Sequence, residues 1–274
     1  MKKNFSKRRS AFTLIEILIV IAIIGVLAVV VVIALAQSAK EKARIASGQQ
    51  FSDSLRANME EGVYGNNTFG LRWKFDGSSI DEFMGLNGSL ASGATISANN
   101  GISGGALVVN GAGTNRQNFY FNPSTNTIPG DFFRVNSWTI NLWIKPTFLA
   151  TSDDSQNIFN ARYHRPRLYV SKSGSLALAV TNNNFQNHRP IFVLSNQIKK
   201  DQWQNIAVTA KIVGYDGAKE KNDYSIYLNG TLLGVNNDEY AANSGASRYI
   251  VGGASWGTEN FNGLIDDFRI YGEA

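Results

Sequence analysis

Residues 12–36 read FTLIEILIVIAIIGVLAVVVVIALA, an apolar run interrupted only by Thr13, Glu16 and Gly25. A run of this length can cross the hydrocarbon core of a membrane as an α-helix, which takes about 20 residues. Residues 37–44 behind the run sum to only +2, whereas five basic residues stand before it: Lys2, Lys3, Lys7, Arg8 and Arg9. By the positive-inside rule, the N-terminus stays in the cytoplasm and the rest of the chain faces outward.

A secretory signal peptide is the competing interpretation of this run. Its apolar core is normally shorter and is followed by a small-residue cleavage site, whereas here good helix formers without Pro continue over residues 37–61. We therefore predict one helix over residues 12–61, with a transmembrane half (12–36) and an amphipathic half (37–61). Side chains at mostly helical spacing predict one apolar stripe on the second half, formed by Ala39, Ala43, Ala46, Phe51, Leu55 and Met59.

The hydrophobic pattern changes after residues 62–70 (GVYGNNTFG), whose Gly and Asn predict a hinge. Within residues 138–145 the apolar side chains Trp138, Ile140, Leu142 and Ile144 alternate with Thr139, Asn141, Trp143 and Lys145. Similar short runs occur at 71–75, 168–170, 176–180, 191–194, 206–210, 224–228 and 264–271, with turn pairs such as Ser173-Gly174 and Asn229-Gly230 between them. The pattern predicts an all-β sandwich over residues 71–274.

The net charge of +5 would ordinarily favour nucleic acid or anionic lipid as a partner. Residues 1–11, however, carry five basic residues and no acidic one. Taking five from the 26 basic residues leaves 21, which equals the 21 acidic residues. Without its first 11 residues the protein is neutral, and we expect no specific binding to nucleic acid.

The segment Ser10-Ala11-Phe12-Thr13-Leu14-Ile15-Glu16 resembles the prepilin peptidase site of type IV pilins and pseudopilins. The resemblance implies that residues 1–11 are a leader, cut between Ala11 and Phe12, and that Phe12 becomes the N-methylated N-terminus. The family usually has Gly before the cut, so Ala11 departs from its pattern. The implied partners are prepilin peptidase, the pilus assembly machinery and other pilin subunits, and the implied location is the cytoplasmic membrane before assembly and a surface filament afterward.

Glu16 is costly inside an apolar helix unless its carboxylate has a partner. One interpretation is a capping box, in which Thr13 caps the helix and Glu16 reaches back to it. We favour the role that the resemblance implies, in which Glu16 pairs with the Phe12 amine of a neighbouring subunit during assembly. For Gly25 two interpretations stay open: a point where the helix loosens within a filament, and close packing of helices.

Beyond residue 70 the chain resembles a second family, the laminin G-like (concanavalin A-like) jelly rolls. The resemblance rests on five stretches in the family's order: 71–77 (LRWKFDG), 138–146 (WTINLWIKP), 203–209 (WQNIAVT), 226–230 (IYLNG) and 263–271 (GLIDDFRIY). It covers about residues 70–274 and implies a β-sandwich head. The usual pilin head is a smaller αβ roll, so this combination is unusual.

Enzymatic activity of the head is not expected. Glycoside hydrolases need two carboxyl groups flanking a sugar bond, and the Glu-x-Asp-x-x-Glu pattern of the β-glucanase branch is missing here. The two histidines, His164 and His188, lack a serine or cysteine motif beside them. A membrane-tethered carbohydrate enzyme is therefore the least favoured alternative.

A calcium site in the head is one hypothesis, because the chain has no cysteine for disulfides and calcium prefers oxygen ligands. Period 2 would place Asp266 on one face with Leu264, Phe268 and Ile270, directed at the core. Asp76, after the first strand, is the second candidate ligand, since first and last strands are neighbours in the resembled family. The alternative is that Asp266 accepts backbone N–H bonds at a strand end and that Asp76 opens a turn.

A ligand site is the other hypothesis for the head. His-Arg-Pro occurs at 164–166 and at 188–190, each time leading into a predicted strand. Together with Trp256 these segments form a candidate site for an anionic glycan, made of Arg162, His164, Arg165, His188, Arg189 and Trp256. The alternative is that scattered surface arginines only keep the head soluble.

The expected function is thus structural and adhesive. The chain is expected to be a type IV pilin-like subunit that polymerises through its N-terminal helix and displays a laminin G-like head toward a glycan or a surface protein. A pseudopilin of a type II secretion system, acting in a short piston-like fibre, is the alternative.

Overall fold

The computed structural model describes residues 14–64, 69–111, 118–122, 132–147, 155–161, 166–181, 188–216, 219–241, 248–254 and 259–272. The chain forms two compact units, Met1–Ala43 and Arg44–Ala274. The first is helical where it is described. The second contains the end of the same helix and the β-rich head.

Helix α1 spans Leu14–Tyr64 without a break, which confirms the long N-terminal helix. Its apolar side chains between Leu14 and Leu35 are all more than half exposed in the single chain. The helix is long and apolar enough to cross a membrane. Because exposing so many large apolar side chains to water is unfavourable, this surface needs lipid or other helices around it.

The head consists of short antiparallel strands and one short helix, α2 (Phe132–Val135). In chain order the strands are β1 (Gly70–Trp73), β2 (Ser89–Leu90), β3 (Thr95–Ser97), β4 (Ala106–Val109), β5 (Phe119–Phe121), β6 (Trp138–Pro146), β7 (Gln156–Ala161), β8 (Arg167–Ser171), β9 (Ser175–Thr181), β10 (His188–Leu194), β11 (Gln204–Asp216), β12 (Lys219–Leu228), β13 (Thr231–Ala241), β14 (Tyr249–Val251) and β15 (Gly263–Tyr271). The predicted strands are all present.

These strands make two sheets within the described residues. The eight-stranded sheet has the order β13-β12-β11-β6-β15-β4-β3, with β1 also paired to β15, and the seven-stranded sheet has the order β10-β9-β8-β7-β14-β5-β2. First and last strands are neighbours, since Gly70 pairs with Tyr271. The predicted β-sandwich is therefore confirmed.

Aromatic rings fill much of the space between the sheets. Trp73 lies 4.5 Å from Phe121 and 6.0 Å from Phe268 between ring centroids. The alternation predicted for residues 138–145 is confirmed, because Trp138, Ile140, Leu142 and Ile144 belong to this core. Trp143 instead packs in a second, smaller apolar cluster with Trp203 and Ala106.

The expectation that Leu264, Asp266, Phe268 and Ile270 share one face is wrong. The register of β15 against β6 shifts between Asp266 and Arg269, and Asp267 between them has φ 47. Such a bulge adds a residue and reverses the alternation. Phe268 and Ile270 reach the core, whereas Leu264 packs against the smaller cluster and Asp266 pairs with Trp143.

Candidate functional site

The N-terminal site can be described only from Leu14 onward. Ala11, Phe12 and Thr13 lie outside the described residues, so processing at Phe12 and capping by Thr13 stay predictions. Glu16 lies in the first turn of α1 and is exposed among apolar side chains. A Cβ added at Gly25 would meet nothing within 4 Å. Among the described residues, therefore, nothing packs closely on the Gly25 position.

From Arg44 onward, α1 docks on the outer face of the eight-stranded sheet, on a surface that we call the helix seat: Asn141, Trp143, Asn205 and Arg269. Gly48 is the point of closest approach, because a Cβ there would stand 2.7 Å from the Trp143 ring and 3.1 Å from Asn205 Cβ. One turn later, Ser52 Oγ donates a 2.9 Å hydrogen bond to Asn141 Oδ1. Small residues thus let the helix backbone approach the strands.

The predicted apolar stripe on this half is right only in part. Phe51, Leu55 and Met59 are partly buried, whereas Ala39, Ala43 and Ala46 are exposed. The buried line passes instead through Gly48 and Ser52, which are the fully buried residues of α1 among those described. Apolarity alone could not predict this, since close approach selects small side chains rather than apolar ones.

Further contacts hold both margins of the docked helix. The side chains of Arg44 and Gln202 are hydrogen-bonded, and Ser47 Oγ donates to the Asn229 carbonyl at 2.9 Å. Phe51 packs on Tyr227 with ring centroids 5.1 Å apart. The last half of α1 is therefore an integral part of the head.

A buried charge network lies beside the seat. Arg269 is 2% exposed and donates from Nη1 to the Ser52 carbonyl at 3.1 Å and from Nε to Asp267 Oδ1 at 2.9 Å. Arg72 donates to the same Asp267 oxygen at 2.8 Å and lies 3.5 Å from Glu60 of α1. Burial opposes ionisation of Asp267, but the two guanidinium groups hold its pKa below the ordinary value.

The candidate calcium ligands both hold the turn formed by residues 101–105 (GISGG). Asp266 Oδ2 accepts from Ile102 N at 2.8 Å and from Ser103 N at 3.4 Å, and its Oδ1 accepts from Asp267 N at 2.6 Å. Asp76 Oδ1 accepts from Gly105 N at 2.6 Å. The contacts of Asp266 fit its predicted alternative role as an acceptor of backbone N–H bonds, and Asp76 accepts one as well. No group of three His, Cys, Asp or Glu side chains that could hold a metal occurs among the described residues. Calcium binding at Asp76 and Asp266 stays a prediction.

Burial raises the pKa of Asp266 to about 7, because an ionised carboxylate loses its hydration there. The N–H bonds from Ile102, Asp267 and Ser103 oppose this rise, and the Asp267 charge adds to it. The turn that Asp266 holds carries Ile102, which packs in the cluster of Trp143 together with Ile45 of α1. Asp266 therefore supports the seat indirectly.

The outer face of the seven-stranded sheet is a second candidate surface. Cross-strand pairing aligns one row over all seven strands: Ser89, Tyr120, Ile250, Asn160, Arg167, Ala179 and Pro190. The strand neighbours of this row, such as Phe119, Tyr249 and Leu168, point into the core, so the row points outward. Asn160 Nδ2, in the middle of the row, is buried and has no hydrogen-bond partner among the described residues, and such a donor favours a bound water or ligand hydroxyl.

Two arginines stack on tyrosines along this row. The Arg248 guanidinium lies 4.1 Å from the Tyr120 ring centroid, and that of Arg167 lies 4.5 Å from Tyr169. Arg167 is also held by polar partners, donating to Asn157 Oδ1 at 2.5 Å and to Glu259 Oε2 at 2.7 Å. Glu259 in turn accepts from Ser155 Oγ at 2.9 Å. Arg167 is thus tied into the head, whereas Arg248 is the more open cation.

The residues predicted for an anionic glycan lie largely outside the described residues: Arg162, His164, Arg165 and Trp256. His188 and Arg189 begin β10 and pair with Thr181 and Val180 of β9, and their side chains are not described. The ends of β7 and β9 and the starts of β8 and β10 meet at one end of the sheet. Sequence reasoning missed Arg248, which enters β14 at this same end, since Tyr249 pairs with Ala161.

Two families match the chain. The family described as "Concanavalin A-like lectin/glucanases superfamily" matches residues 122–274, more than half of the chain. The chain therefore belongs to the concanavalin A-like lectin/glucanase superfamily. The "Prokaryotic N-terminal methylation motif" matches residues 6–32, which defines a type IV pilin-like N-terminus and implies processing by prepilin peptidase, pilus assembly and membrane association. No curated protein matches the chain.

Solved structures similar to this chain agree on the fold. Domain 4 of AbnA, an extracellular arabinanase from Geobacillus stearothermophilus, has 21% identity and a TM-score of 0.51, with 76% of this chain and 94% of that domain covered. A botulinum neurotoxin type C structure has 13% identity and a TM-score of 0.55, and the binding domain of botulinum neurotoxin DC has 12% identity and a TM-score of 0.54. The match covers 75% of this chain and 48% of each neurotoxin chain.

Proposed function

We propose that this pilin-like protein polymerises through its N-terminal helix into a surface filament and displays its lectin-like head to bind a glycan. The observation that carries the proposal is the helix itself. From Leu14 to Leu35 its apolar side chains are exposed on all sides, with Glu16 as the acidic residue of that stretch. The same helix ends docked in the head, so a subunit held by its helix also carries its head.

Glu16 would fix the axial register between the helices of neighbouring subunits, which the apolar surface alone does not define. Van der Waals packing between apolar helices tolerates sliding, whereas a carboxylate in a low-dielectric environment is costly until a positive group reaches it. Cleavage before Phe12 creates such a group, the new α-amine, on a subunit that joins the filament. Uncut precursor has no amine at this position and would be excluded.

The head is proposed to bind rather than to catalyse. The outward-pointing row of the seven-stranded sheet and its neighbours offer aromatic rings, an amide donor and guanidinium groups on a rigid sheet. This combination is typical of ligand sites. The acid described beside the row, Glu259, is engaged by Arg167 and Ser155. Two similar proteins support a sugar ligand: the arabinanase domain was solved with arabinotriose, and cell entry of the type C neurotoxin depends on interaction with two ganglioside molecules.

Substitution of Glu16 tests the assembly part of this proposal. Glu16→Ala and Glu16→Gln subunits should insert and be cleaved, because the apolar helix and the Ala11–Phe12 junction are intact, yet accumulate in the membrane. We expect sheared surface filament to fall at least tenfold relative to cleaved membrane-bound subunit, since Gln keeps the size but not the charge. The ratio is measured by immunoblot of the sheared and membrane fractions.

Glu61→Gln is the matched control, because Glu61 is an exposed carboxylate on the same helix, outside the apolar stretch. It should assemble normally. Filaments at wild-type level from both Glu16 variants would show that charge pairing does not set the register.

A further inference from the structure

Arg248 and Tyr120 form an accessible stacked pair near one end of the outward-pointing row of the seven-stranded sheet. Tyr120 is half-buried on β5, and the Arg248 guanidinium lies over its ring at 4.1 Å. Stacking on an aromatic ring holds the guanidinium plane without consuming its N–H donors. The side chain is therefore positioned before any ligand arrives.

The donors of Arg248 remain available. Its Nε donates a long, 3.4 Å hydrogen bond to Asn122 Oδ1, and within the described part of the chain neither Nη1 nor Nη2 has a partner. No carboxylate contacts Arg248 there either, in contrast to Arg167, which is paired with Glu259 at 2.7 Å. Two N–H groups of a fixed guanidinium fork fit the two oxygens of a carboxylate.

Neutral polar groups surround this cation. Exposed Ser89 pairs with Tyr120 on one side and buried Ile250 pairs with it on the other. Ser89 Oγ can donate and accept, and the exposed Asn122 Oδ1 can accept. A ligand that fits has one carboxylate with hydroxyl groups around it that can donate to Asn122 and both donate to and accept from Ser89. An acidic sugar has this arrangement. A phosphodiester chain fits less well, because it has many hydrogen-bond acceptors but few hydroxyl groups that could donate to Asn122 Oδ1.

We propose that Arg248, stacked on Tyr120, binds the carboxylate of an acidic sugar, so that the glycan recognised by the head is a uronic-acid or sialic-acid type of polymer. The inference rests on the proposed glycan binding and narrows its ligand class. Asn122 and Ser89 orient the sugar hydroxyls. The arginine contributes two parallel N–H donors as well as a positive charge. A lysine ammonium group has the charge but cannot make this bidentate contact.

The test uses the full-length processed protein in detergent micelles, with trigalacturonate as the acidic probe and its methyl ester as the uncharged probe of the same shape. We expect wild type to bind trigalacturonate about tenfold or more tightly than the ester, measured by calorimetry. Arg248→Gln should remove this difference, because trigalacturonate loses a charge-assisted contact whereas the ester loses at most a neutral one. Arg248→Lys should recover only part of it, since lysine keeps the charge but not the fork.

Arg56→Gln is the control for net charge, because Arg56 is an exposed arginine on α1 paired only loosely, at 3.7 Å, with Asp53. It should bind both probes as wild type does. Equal binding of the two probes by wild type overturns the acidic-sugar inference while leaving the glycan proposal standing. Binding of neither probe overturns both. Tighter binding of a duplex DNA oligonucleotide than of trigalacturonate, lost in Arg248→Gln, would also overturn the inference, because the fork would then serve phosphate.

Discussion

Asp266 and Asp267 are adjacent on β15, yet their carboxyl groups have opposite preferences. Asp267 faces the guanidinium groups of Arg72 and Arg269, which keep its pKa low. Asp266 is 1% exposed and meets N–H dipoles instead of a full positive charge, so burial raises its pKa to about 7. The bulge at Asp267 separates the two environments, since it sends consecutive side chains into different surroundings.

This difference predicts a pH dependence of stability. Between the unfolded pKa of Asp266, about 4, and its folded value of about 7, the folded protein holds a proton that the unfolded chain has released. The free energy of unfolding should therefore fall as pH rises through this window. In Asp266→Asn the fall should be shallower, even though the variant is less stable at every pH because it loses N–H acceptors. Denaturant titrations at pH 4 to 7 in EDTA measure both slopes.

Identical slopes for the two proteins would mean that Asp266 ionises normally in the folded head. The same experiment with calcium in place of EDTA tests the metal hypothesis. A melting temperature that rises with calcium in wild type and not in Asp266→Asn would show that Asp76 and Asp266 also bind the ion, because a ligand specific for the native state stabilises it.

Among the elements, those that follow a local pattern were predictable. The tight turns at Ser173-Gly174 and Asn229-Gly230 are present, with φ of 58 and 76 at the first pair and 50 and 79 at the second, as a turn with two left-handed residues requires. The bulge in β15 was not predictable, because the segments that contact it, the turn at residues 101–105 and the strand at residues 138–146, are distant in sequence. Likewise, Arg248 and Tyr120 are too far apart in sequence to suggest a pair.

The helix seat makes its own prediction. Gly48→Ala gains about 1 kcal/mol of helix propensity, but its methyl group would stand 2.7 Å from the buried Trp143 ring, and overpacking of this kind costs about 1–3 kcal/mol. We expect a net loss of about 1 kcal/mol, which lowers the melting temperature of the head by about 2–4 °C. Gly48→Leu should lower it further. Near-UV circular dichroism of the full-length protein in detergent follows the transition.

Gly25→Ala is the matched control, since a Cβ there meets nothing within 4 Å. Its head should melt as wild type does. A Gly48→Ala protein that melts at or above the wild-type temperature would show that Trp143 and the helix separate easily, and that docking at this point is weak.

At the scale of the whole molecule, charge and processing are linked. The five basic residues among residues 1–11 account for the entire net charge of +5, so the expected cleavage after Ala11 would turn a basic precursor into a neutral subunit. We expect the filament protein to begin at N-methylated Phe12, and intact-mass spectrometry of sheared filaments measures this directly. Ala11→Gly, which restores the residue usual in pilins, should be cut at least as fast. A filament subunit that retains Met1 or Lys2 would contradict the leader assignment.

The docked end of α1 also has a mechanical consequence. If the head were joined to the helix only through residues 65–69, any pull on a captured ligand would load that single covalent connection. The contacts of Gly48, Ser52 and Glu60 with strands β6, β15 and β1 add a second route in parallel, through the hydrogen-bonded sheet. Tension on the head is then shared as shear along three turns of helix, and the covalent connection does not carry the load alone.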